Sequence, residues 1–140
     1  MTWGQLALLL FPVLVIMISG QKWPLRQLGD KIPWRPPPQV FGVAWALLSI
    51  SIGVAWAFGS PNEVSNNLRG NCFVLLTLLL FSFAPLEYSK GPSVGPAICA
   101  SSFGVALACM LTTAPPYNLL LVPLCAWLVF AGQLAALSAA

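Results

Sequence analysis

The sequence predicts an all-α membrane protein, a single five-helix transmembrane bundle spanning residues 1–140. Three observations lead there. Hydrophobic residues make up 59% of the chain and charged residues 6%, against about 25% charged in an average soluble domain. Too few charges remain to cover a water-exposed surface. The apolar runs each approach the ~20 residues that cross a bilayer. Between them stand short stretches of loop chemistry, KWPLRQLGDKIPWRPPP, GSPNEVSNNLRG, SKGPS and APPY, rich in the residues that break helices.

The first helix is expected over residues 3–19. It lacks the cationic start and small-x-small cleavage site of a signal peptide, so it reads as a span. Pro12 should kink it, with a neighbouring helix supplying the lost hydrogen bond. A capping loop covers residues 20–39. The second helix is expected over 40–58, the third over 71–88, the fourth over 94–113 and the fifth over 118–138. In the fifth, Pro123 is expected to leave the Leu119 carbonyl without its helical partner, one turn before Trp127.

Charge orients the bundle. The first loop holds Lys22, Arg26, Lys31 and Arg35 against Asp30, which accounts for the whole formal excess of +3. The second loop pairs Arg69 with Glu63, and Glu87 and Lys90 flank the third turn. The positive-inside rule places loop 20–39 on the cytoplasmic side. Five spans put the carboxyl terminus on that side too. No targeting segment points to a particular membrane.

Function classes fall away in turn. There is no histidine, which removes the commonest metal ligand and general base. No nucleophile–base pair, phosphate loop or metal cluster is evident, so no metal site, no required cofactor and no nucleic-acid partner is expected. Cys72, Cys99, Cys109 and Cys125 all fall in apolar runs and read as small buried hydrophobes. A coupled pump normally carries an intramembrane charge. Only Glu87 comes close, and it reads as an interfacial residue.

Aromatic and proline chemistry remains. Trp3, Trp23 and Trp34 suit the interfacial belt. Trp45 and Trp56 are eleven residues apart and share a helix face. Trp45 and Trp127 lie deeper, and an indole in hydrocarbon wants a partner for its N–H, so both are expected to line a pocket. Pro36, Pro37 and Pro38 stiffen the approach to helix two. Ala100, Gly104 and Ala108, and Ser49, Gly53 and Ala57, form small-xxx-small faces, expected to serve packing within the bundle, with a dimer contact as the alternative.

The stretch KIPWRPPPQVFGVAW resembles the first loop and second helix of the TspO/MBR family, the tryptophan-rich sensory proteins and the translocator protein or peripheral benzodiazepine receptor. The match runs through Lys31, Trp34, Pro36, Pro37, Val40, Phe41, Gly42, Trp45, Leu48 and Gly53. LLVPLCAWLVFA matches the family's fifth helix through Leu120, Leu121, Pro123, Trp127, Phe130 and Ala131. There are departures. Ile32 replaces a proline, Pro33 follows it, and FSFAPLEY keeps Pro85 but neither tryptophan of the helix-three motif. Pro96, Ala100, Leu124 and Ala135 stand where the family has tryptophan, an acidic residue, tyrosine and asparagine. The cholesterol-recognition pattern of the animal members is not found, which weakens the case for cholesterol.

The resemblance implies five tightly packed helices with a pocket capped by the first loop. It implies a tetrapyrrole ligand, protoporphyrin IX or haem, or a sterol or other membrane lipid, and a homodimer. Trp45 and Trp127 would line the pocket, Phe41, Leu48, Phe103, Phe130, Ala131 and Leu134 would shape it, and Trp34, Pro36 and Pro37 would form its lid. Lys31 and Arg35 would pair with propionates. Two other roles stay open: an accessory membrane subunit that kept the fold without the ligand, and an enzyme that degrades porphyrin under light, with Trp45 and Trp127 as its reactive residues.

Overall fold

The computed structural model describes residues 3–22, 33, 38–59, 66–90 and 92–139. Five helices carry the architecture: α1 Trp3–Lys22, α2 Pro38–Phe58, α3 Asn66–Lys90, α4 Gly95–Leu111 and α5 Val122–Ala139. Short 3-10 turns at Pro92–Val94 and Tyr117–Leu121 lead into α4 and α5. Four segments are long and apolar enough to cross a membrane, and α4 is a shorter apolar helix.

Proline sets several of these boundaries. Pro38 opens α2, Pro96 stands in the first turn of α4, and Pro123 is the second residue of α5. The fixed φ of proline suits a first turn, where its missing N–H would have no partner anyway. So α2 begins two residues before the expected start. Pro123 does not kink the middle of a helix, as the sequence suggested. The preceding 3-10 turn ends there, and the Leu119 carbonyl accepts the Val122 N–H.

Pro12 and Pro85 are the prolines inside helices. Pro85 deprives the Phe81 carbonyl of its intrahelical donor. The hydroxyl of Ser19 donates to that carbonyl from α1 at 2.7 Å. Ser19 is buried at 2% exposure, so the neighbouring helix makes good the bond that proline removes.

The helices close into a ring. α1 packs on α2 and α3, α3 on α4, and α4 on α5, while the 3-10 turn Tyr117–Leu121 seats against α2. At Gly53 the α1–α2 approach is close enough that a Cβ would come within 3.0 Å of the Leu9 Cα. The helix-two small face, Ser49, Gly53 and Ala57, is buried as expected. The helix-four face is not: Ala100 and Gly104 are exposed, and nothing lies within 4 Å of a Cβ placed at Gly104.

Arg69 differs most from the reading of it as a loop charge. It lies in the first turns of α3 with 3% exposure. Its guanidinium donates to the Ala55 carbonyl of α2, and from Nε to Thr113 Oγ1 beyond α4 at 3.4 Å. Its carbon lies 5.0 Å from the Phe73 ring centre, a cation–π distance. The Ala114 N–H bonds the Gly59 carbonyl at 2.8 Å beside it. This cation thus ties together the end of α2, the start of α3 and the end of α4.

Candidate ligand site

The ring has one loose joint. α2 and α5 do not come into close backbone contact over any length, and large side chains bridge them instead. Trp45 meets Trp127 edge-on with ring centres 6.2 Å apart. Phe41 meets the same indole edge-on at 5.5 Å, and Phe130 lies tilted against it at 5.2 Å. Edge contacts suit rings whose faces are negative and edges positive.

Beside this cluster runs a groove of about 560 Å³, within the size range of small-molecule sites. Its walls are Ala44, Leu47, Leu48 and Ser51 from α2 and Pro123, Ala126, Trp127 and Phe130 from α5. Both sets follow the spacing i, i+3, i+4, i+7, one stripe of an α-helix. Small residues open the space: Ala44, Ser51 and Ala126 leave room between Leu48, Trp127 and Phe130. Leu48 forms the floor at 6% exposure, while Leu47 stands at the rim at 61%.

Polarity in the groove is sparse and specific. No wall residue is charged. The Ser51 hydroxyl donates to the Leu47 carbonyl of its own helix at 3.0 Å. The Trp127 indole Nε1 is buried and has no hydrogen-bond partner among the described residues. A buried donor without a partner is costly.

The expected site residues divide. Phe41, Trp45, Trp127 and Phe130 come together, and Leu48 joins Trp127 and Phe130 in the groove wall. Ala131 and Leu134 are buried in the core, and Phe103 packs against that core from α4. These three are not among the groove walls. Trp45 and Trp56 share a helix but not a neighbourhood, since Trp56 stacks on Phe73 at 5.5 Å. Lys31, Trp34, Arg35, Pro36 and Pro37 lie outside the described residues, as do the side chains of Glu87 and Tyr88.

Sequence reasoning missed Ala44, Leu47, Ser51 and Ala126. Their signal was the small residues placed on the same stripe as Leu48 and as Trp127–Phe130. It also missed the burial of Arg69, for which Phe73 at i+4 was the available sign. Among the described residues no group of histidine, cysteine or acidic side chains could hold a metal ion.

No curated protein sequence matches the chain. A family model described as the TspO/MBR family matches residues 6–137.

Proposed function

Because the chain belongs to the TspO/MBR family, we propose that it binds a hydrophobic ligand against the Trp45–Trp127 cluster. The protein is an integral, multi-pass membrane protein of five helices. The proposed ligand is a tetrapyrrole, protoporphyrin IX or haem, with a sterol-like lipid as the other candidate. One observation supports this reading most: four aromatic rings, those of Phe41, Trp45, Trp127 and Phe130, converge beside a groove with uncharged walls. A flat apolar macrocycle gains from such ring edges and faces. The charged propionates of a tetrapyrrole would have to lie beyond these walls, toward the basic first loop, where Lys31 and Arg35 are the proposed partners.

The test is a titration of protoporphyrin IX into detergent-purified protein, followed by tryptophan quenching. Trp45→Phe and Trp127→Phe stand beside the wild type, with Trp3→Phe as a control because Trp3 is 87% exposed. Loss of one indole from the cluster should weaken binding about three- to tenfold, equivalent to ~0.5–1.5 kcal/mol of aromatic contact. Trp3→Phe should leave affinity unchanged. An absence of saturable quenching would remove the ligand and leave the accessory-subunit role.

A further inference from the structure

Arg69 stands where its own helix disfavours it. It is the fourth residue of α3 (Asn66–Lys90), and the start of a helix repels a cation. Yet it is 3% exposed. Two other helix ends hold it. α2 finishes at Phe58 and α4 at Leu111, and helix carboxyl ends carry the partial negative charge that suits a cation. The guanidinium donates to the Ala55 carbonyl in the last turn of α2 and to Thr113 Oγ1 just past α4. The Thr113 hydroxyl is fixed in turn, donating to the Cys109 carbonyl at 2.6 Å.

A row of rings extends this junction across the bundle. Phe73 faces the guanidinium and stacks on Trp56 of α2 at 5.5 Å and 13°. Trp56 meets Phe11 of α1 edge-on at 6.0 Å. Phe58 stacks on Tyr117, in the turn that leads into α5, at 6.3 Å. All five helices, α5 through its preceding turn, are thus joined in one layer. Its packing is tight. Phe73, Cys109 and Leu121 are 0% exposed, and a Cβ at Gly59 would run into the Thr113 methyl and the Ala55 carbonyl. Interiors packed at this density hold few voids as large as a water molecule.

We propose that this layer of cation and rings seals its end of the bundle against water-borne solutes. Exchange between the interior and the aqueous phase is then confined to the other end, where α1 finishes at Lys22 and α2 begins at Pro38. The protein serves one face of the membrane. Whatever it takes up there it returns there, and its interior is not a conduit to the opposite face. An apolar plug would also fill the space, but Arg69 adds charge-assisted bonds that must break before the ends of α2 and α4 part. The seal stands whether or not the bundle binds a tetrapyrrole, because neither Arg69 nor its partners line the α2–α5 groove.

The free cysteines supply the probe. Cys109 lies one turn before Thr113, behind the layer, while Cys99 lies near the start of α4, toward the other end. A variant keeping Cys109 alone, with the other three cysteines changed to Ala, is placed in nanodiscs. It is treated with a charged methanethiosulfonate, and modification is followed by mass spectrometry. Cys109 should be protected. Arg69→Ala should raise its rate about ten- to hundredfold, the factor by which loss of a charged hydrogen bond favours local opening. Cys99 kept alone should react at the same rate with and without Arg69.

Acceleration of Cys99 along with Cys109 would mean that Arg69→Ala has lost the fold. Thr113→Val then decides, since it keeps the volume and removes one bond. It should speed Cys109 several-fold and leave Cys99 unchanged. Rapid modification of Cys109 with the layer intact, or protection that neither substitution alters, overturns the seal.

Discussion

The bond from Ser19 to the Phe81 carbonyl can be isolated by a double substitution. Ser19→Ala removes the hydroxyl that donates to the Phe81 carbonyl from α1, at the position where Pro85 supplies no backbone N–H. Interhelical hydrogen bonds in membranes average ~0.6 kcal/mol and reach ~1.7. The expected loss is therefore about 1 kcal/mol. Pro85→Ala restores a backbone N–H able to reach Phe81, so in that background Ser19→Ala should cost close to nothing. The coupling between the two positions should then equal nearly the whole single-mutant loss. Unfolding by SDS titration in mixed micelles, for the wild type, both single variants and the double variant, measures all four corners. If Ser19→Ala costs the same with and without Pro85, the hydroxyl is not replacing the bond that proline removes.

Gly53→Ala and Gly104→Ala make the same chemical change in two settings. Both gain about 1 kcal/mol of helix propensity, but at Gly53 the new methyl meets the Leu9 backbone and overpacking costs ~1–3 kcal/mol. Gly104→Ala should therefore melt higher than Gly53→Ala in detergent, and equal melting points would contradict the close α1–α2 approach. Arg69→Met should lower stability by about 2 kcal/mol through loss of a charged hydrogen bond, as read by the same SDS titration. It should leave porphyrin affinity unchanged, because Ala55 lies ten residues, about 15 Å, along α2 from Trp45. Arg69→Lys should recover only part of the loss, since an ammonium cannot reproduce the guanidinium fork.

Membrane-length apolar runs and their proline-rich separators made the five helices legible from the sequence. The motifs that carry the family resemblance singled out Trp45 and Trp127, whose rings meet edge-on in the structure. Facing was much less legible. In water an amphipathic stripe shows which side of a helix is buried. In lipid the outside is as apolar as the core, so the sequence of α4 looks alike whether Gly104 faces a neighbour or the bilayer. Arg69 was hidden for a related reason. A cation near asparagines and a glycine reads as loop, and its burial depends on Ala55 and Thr113, partners from distant parts of the chain. Pro123 was read as a kink because its place relative to the helix start depends on the 3-10 turn at Tyr117–Leu121. That turn in turn forms against α2.

The Arg69 junction also bears on how the protein is made. A chain synthesised amino end first exposes Ala55 before Arg69, and Thr113 only 44 residues after it. Until α4 has crossed, the guanidinium has its α2 partner but not its last one. A cation at the end of a span is least costly while it remains among headgroups and water. The last partner of Arg69 follows α4 in the chain, so the burial begun by the first half of the protein is completed by the second.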